Sequence, residues 1–106
     1  MGYIYLICDP SNNLYKIGVT RKSESKRIKQ LQTGNPTQLH ISFLYKCEYP
    51  FRLETMLHNY YKNKNVLNEW FELNDKEVIE FKELCDKFNN QISILKANPY
   101  FLKGLK

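Results

Sequence analysis

Tyr3-Ile4-Tyr5-Leu6-Ile7-Cys8-Asp9-Pro10-Ser11-Asn12-Asn13-Leu14-Tyr15-Lys16-Ile17-Gly18-Val19-Thr20 is the stretch on which the fold turns. Two short runs rich in aromatic and β-branched residues flank five residues that favour turns, the pattern of a β-hairpin. If Asn12 and Asn13 form a two-residue turn, for which asparagine tolerates positive φ, Ser11 pairs with Leu14. Counting outward, Asp9 then faces Lys16, Ile7 faces Gly18 and Tyr5 faces Thr20, so that Tyr5, Lys16 and Gly18 share one face. A three- or five-residue turn would instead bring Tyr5 beside Tyr15.

Downstream of the hairpin, Ser23 is suited to cap a helix running to about Thr33, with Glu24 in its first turn. Gly34 and Pro36 end that helix. Leu39–Cys47 alternates as a third strand does. Pro50 opens a second helix, whose apolar residues Leu53, Met56, Leu57 and Tyr60 recur at three- and four-residue spacing. Glu54 and His58, four apart, lie together at the margin of this stripe. Glu69–Leu73 reads as a short extended or strand-like piece. Asn74 with Glu77 makes a capping-box start for a third helix, with Val78, Phe81, Cys85 and Phe88 inward. The order predicts an α/β (α+β) fold, a small antiparallel three-stranded sheet flanked by helices. One domain over residues 1–90 and a C-terminal helical extension over 91–106 account for the 106 residues.

Composition narrows the function. No stretch approaches the roughly 18 apolar residues of a membrane span, and the start of the chain lacks a signal-peptide pattern. The three cysteines, Cys8, Cys47 and Cys85, form no C-x-x-C pair and read as small hydrophobes in a reducing, intracellular setting, cytoplasmic or nuclear. The net charge is +5, and residues 1–70 carry all of it. Lys16, Arg21, Lys22, Lys26, Arg27 and Lys29 stand against Glu24 alone within Lys16–Lys29. Such a local positive field suits a polyanion.

"GYIYLI" followed by "LYKIGVT" resembles the paired motifs that name the GIY-YIG nuclease superfamily. "KRIKQLQTGNP" is similar to the helix that follows them there, "LETMLHNYY" to the metal-carrying helix, and "NEWFEL" to the closing segment. The likeness runs over about residues 2–73 and is to the compact branch carried by phages, viruses and mobile elements. It implies a metal-dependent endonuclease that hydrolyses phosphodiester bonds in nucleic acid, DNA rather than RNA. Tyr5 stands where the family has its general base. The second-motif slot falls to Lys16 or to the adjacent Tyr15, since the sequence departs here from the motif's name. Arg27 matches the arginine that holds the scissile phosphate, and Glu54 the single carboxylate that binds one Mg²⁺ or Mn²⁺. His58, one helical turn from Glu54, reads either as its partner or as a residue packing at the helix boundary, and His40 is the lesser candidate.

Gly18, lacking Cβ, would let a phosphate come close to the sheet. Arg21, Lys26, Lys29 and Asn35 are the candidate substrate-binding residues. Asn68 and Glu69 stand near the position of an assisting asparagine, while Trp70 and Phe71 read as core. The rival reading keeps the fold and the basic face as a non-catalytic nucleic-acid-binding module. With no separate recognition domain expected, targeting falls to substrate structure, to a homodimer or to a partner protein.

Overall fold

A computed structural model describes residues 2–21 and 39–96. The expected helix from Ser23 to Thr33, and with it Lys26, Arg27, Lys29 and Asn35, lies outside the described residues.

The hairpin forms as β1 (Gly2–Asp9) and β2 (Leu14–Thr20). Its register differs from the expected one by two residues. Asp9 pairs with Leu14, Ile7 with Lys16 and Tyr5 with Gly18, across a loop of four residues rather than two. The cause is local chemistry at Asp9. Its carboxylate accepts from the Ser11 backbone N–H (3.2 Å) and from the Asn12 side chain (2.9 Å), and its carbonyl accepts from the Asn12 N–H. This aspartate-centred turn starts the loop one pair earlier, and Asn13 alone takes positive φ (55°) to close it. Because the error is even, the faces survive: Tyr5, Ile7, Lys16 and Gly18 share one side, and Tyr15 and Ile17 the other.

β3 (His40–Cys47) pairs antiparallel with β1 on its far edge, with a register shift between Leu6 and Ile7. Helix α1 (Pro50–Tyr60) begins with proline in its first turn. A 3₁₀ turn (Lys62–Lys64) then leads into two strands beyond the three expected, β4 (Asn65–Leu67) and β5 (Trp70–Phe71). β5 pairs with β2, so the sheet has five antiparallel strands in the order β3-β1-β2-β5-β4. β5 falls within the strand-like piece expected over Glu69–Leu73, while β4 carries too few residues for an alternation to announce it.

Helix α2 (Asp75–Leu95) starts at the anticipated capping box. The Asn74 side chain accepts from Glu77 N–H (2.8 Å), and the Glu77 carboxylate accepts from Asn74 N–H (3.0 Å). It runs unbroken past residue 90, and Ile92 is buried in the core, so the first helical turns after residue 90 pack with the domain.

Both helices cover the sheet face that carries Ile4, Leu6 and Ile17. Leu53 and Leu57 of α1 and Phe81, Cys85 and Ile92 of α2 complete this core. Each fully buried leucine there contributes about 2 kcal/mol of burial. Phe43 meets Phe81 edge-on at 5.9 Å. Cys47 and Cys85 are buried and free; burial pushes the Cys85 thiol up to about 12. A second, smaller cluster forms on the opposite face from Tyr5, Ile7 and Leu39, with Trp70 packed against it. Among the described residues no helix is long and apolar enough to cross a membrane.

Candidate active site

The two sheet faces meet functionally at one edge. β2 is paired to β5 only at Tyr15 and Lys16, with one further bond from Ile17 N–H to the Glu69 carbonyl (3.1 Å). At Ile17 this edge also takes a partner from α1. His58 Nε2 donates to the Ile17 carbonyl at 2.9 Å, which in the neutral ring leaves the lone pair on Nδ1. The imidazole also packs edge-on against Phe71, 5.0 Å between centroids. His58 is thereby locked between a strand edge and a core aromatic.

Glu54 lies one turn before His58, half-buried just off the Leu53–Leu57 stripe. Glu69 arrives from the opposite direction. It occupies the second position of the tight turn joining β4 to β5, where Asn68 adopts φ 52° and the Asn65 side chain donates to the carbonyls of Asn68 (2.7 Å) and Trp70 (3.1 Å). Its backbone carbonyl is held by Ile17, so its side chain is delivered to the β2 edge by backbone geometry. One ligand atom each from Glu54, His58 and Glu69 lie within 4.8 Å of one another. Among the described residues these three form the one such group of histidine and carboxylate ligands.

Lys16 comes from the other face of the sheet. Its ammonium sits 2.8 Å from the Glu69 carboxylate and 5.7 Å from the centre of the Trp70 ring. Burial lifts the Glu54 carboxyl above the usual carboxylate range; the Glu69 charge and a hydrogen bond between the two carboxyls lift it further, while His58 and Lys16 oppose the shift. Two crowded carboxyls with an imidazole beside them are a donor set for a divalent cation, whose charge would offset their repulsion and make both anions stable.

Tyr5 is fully buried on the Lys16 face, diagonal to Lys16 across the hairpin. Its ring lies over Gly18. A Cβ added there would stand 2.9 Å from Tyr5 Cε1 and nearer still to Cζ and Oη. The absent side chain of Gly18 is thus filled by a protein group, the tyrosine ring, rather than kept open for a phosphate. The phenol end reaches across β2, the strand whose edge holds Glu54, His58 and Glu69.

The remaining candidates fall apart from this cluster. Tyr15 points to the helix-covered face and packs against the main core, where burial and Cys8 raise its phenol pKa. Arg21 is exposed and lies over the Phe51 ring at 5.4 Å, at the start of α1. His40 is exposed at the first residue of β3. Trp70 is half-buried and Phe71 buried, as core residues are. Glu69, named from the sequence only as standing near the position of an assisting asparagine, enters the cluster as a candidate ligand. An acid directly before the Trp-Phe pair was its one visible signal.

Comparison with protein-family models matches residues 2–86 to the T5orf172 domain, a phage-associated domain related to GIY-YIG and HNH-like nucleases. Comparison with curated proteins and with solved structures gave no match.

Proposed function

We propose that this chain, which belongs to the T5orf172 domain family, is a metal-dependent endonuclease that hydrolyses phosphodiester bonds in nucleic acid, DNA in the first instance. The observation that carries the reading is the meeting of Glu54, His58, Glu69 and Lys16 at the edge of β2 that pairs with β5. Gathering four charged or titratable groups half-buried in one place costs folding free energy, and such gatherings mark functional sites more often than packing needs do. A family related to nucleases and a net charge of +5 point to the same class of substrate.

In the proposed reaction Glu54 anchors a single Mg²⁺ or Mn²⁺, which when bound would stabilise negative charge on the phosphate and on the leaving 3′ oxygen. Tyr5 accepts a proton at Oη from the attacking water. The Lys16 ammonium, on the same face, favours the phenolate and attracts the phosphate. Arg27, from the segment after the hairpin, clamps the phosphate by paired N–H donors. His58, anchored on the Ile17 carbonyl, presents its ring beside Glu54 one turn away. Water attacks phosphorus in line with the 3′ oxygen as the P–O3′ bond breaks, and the departing oxygen takes a proton from solvent, leaving a 5′-phosphate and a 3′-hydroxyl. Positioning and charge neutralisation supply most of the acceleration.

The test uses labelled linear, branched and single-stranded DNA with Mg²⁺ or Mn²⁺. Cleavage by the wild type should fall by about a hundredfold or more in Tyr5→Phe, Arg27→Ala and Glu54→Ala, with the fold intact by circular dichroism. Binding without metal-dependent cleavage in the wild type would leave the nucleic-acid-binding module as the function. Undiminished cleavage by Glu54→Ala would overturn the metal assignment.

A further inference from the structure

A single carboxylate does not account for the neighbourhood of Glu54. Glu69 is held at the site by three backbone or turn interactions that do not involve its side chain, and its carboxylate lies within 4.8 Å of the Glu54 carboxylate and a His58 ring nitrogen. The cation it meets there is the protein's own: Lys16 Nζ, at 2.8 Å. An ammonium among two carboxyls and an imidazole occupies electrostatically the role of an ion. His58 carries the feature expected of a metal-binding histidine, its other ring N–H donated to a backbone carbonyl that sets tautomer and orientation.

We propose that Glu69 and His58 join Glu54 as ligands of the catalytic cation, and that Lys16 is a resident counter-ion which the metal displaces from Glu69. The inference rests on the endonuclease reading above and extends it. A divalent cation among Glu54, Glu69 and His58 satisfies Glu69 more strongly than one ammonium does. Lys16, released from its ion pair, is then free to turn its charge to the phosphate. Metal loading thereby prepares substrate binding, and the two events are coupled through one lysine. Two carboxylates with an imidazole favour Mn²⁺ over Mg²⁺, since the nitrogen donor adds little for magnesium.

Mn²⁺ titration of the full chain without nucleic acid, followed by electron paramagnetic resonance of the free ion, tests this directly. The wild type should bind Mn²⁺ more tightly than Mg²⁺ competes for it. Glu54→Gln, Glu69→Gln and His58→Ala should each weaken binding by roughly tenfold or more. Lys16→Met should tighten it by about two- to fivefold, because a competing partner of Glu69 is gone. Circular dichroism checks each fold, and Glu69→Ala serves as a second probe of the turn position. Wild-type affinity in both Glu69 variants, with Glu54→Gln impaired, overturns the proposal and leaves Glu54 as sole ligand. No measurable Mn²⁺ binding by the wild type overturns it too, while metal-dependent cleavage would still support the endonuclease. Weaker binding by Lys16→Met refutes the displacement.

Discussion

Replacing Gly18 by alanine isolates the contact that aims Tyr5 across β2. The added methyl carbon would lie 2.9 Å from Cε1 and closer to Cζ and Oη, and the obstructing group is a fully buried ring. Either the ring leaves its rotamer or the hairpin ladder shifts, and overpacking of this kind costs about 1–3 kcal/mol. Against it stands a gain of about 0.4–1 kcal/mol, because alanine restricts the unfolded chain and the Gly18 backbone has no positive φ to oppose it. The net expectation is destabilisation by about 1–2 kcal/mol, or a fall in Tm of roughly 5–15 °C for a domain of this size. Urea denaturation followed by circular dichroism measures the first and a thermal melt the second. The sharper test is the sign in a second background. In Tyr5→Leu the ring is absent, so Gly18→Ala should become neutral or stabilising, leaving only the entropy effect. A Gly18→Ala change costing the same in both backgrounds would refute the claim that the tyrosine ring is what the glycine accommodates.

Three other outcomes follow from the same geometry. Glu54→Gln should stabilise the metal-free protein at neutral pH: the folded-state pKa of Glu54 lies above its unfolded value, so the native state binds the extra proton in that window and the ionised carboxylate weighs against folding above it. The gain should fade as pH falls towards the unfolded carboxylate value of about 4.3, checked by melts in chelator across pH. Tyr45→Phe removes the 2.7 Å hydrogen bond to Asp86, the main cause of that carboxylate's lowered pKa. Its cost should therefore be present at neutral pH and shrink as pH falls through the Asp86 titration, seen in paired urea titrations. Asn74→Ala removes the side-chain arm of the capping box, the acceptor for Glu77 N–H, while the backbone arm to the Glu77 carboxylate remains; it should cost about 1 kcal/mol in urea unfolding, a loss that serine at the same position largely restores.

Much of the fold was legible in local signals. The hairpin, the proline start of α1, the capping box of α2 and its inward residues Phe81 and Cys85 all follow from periodicity and caps that act within a few residues. So did the pairing of Glu54 with His58, because four residues make one helical turn whatever the helix packs against. The shared face of Tyr5 and Lys16 depended only on whether the loop held an even number of residues. What tertiary structure alone decided lies between distant segments. Asp9 chose the register by the hydrogen bonds its carboxylate makes around the turn. The strand-like Trp70–Phe71 piece was legible, but that it pairs with the edge of β2 was not, because two residues carry no signal of their partner. The same edge brought Glu69 to Glu54 across fifteen positions of chain, and Lys16 to both from the other side of the sheet. Local periodicity says which way a side chain points; only the closed sheet says whom it meets there.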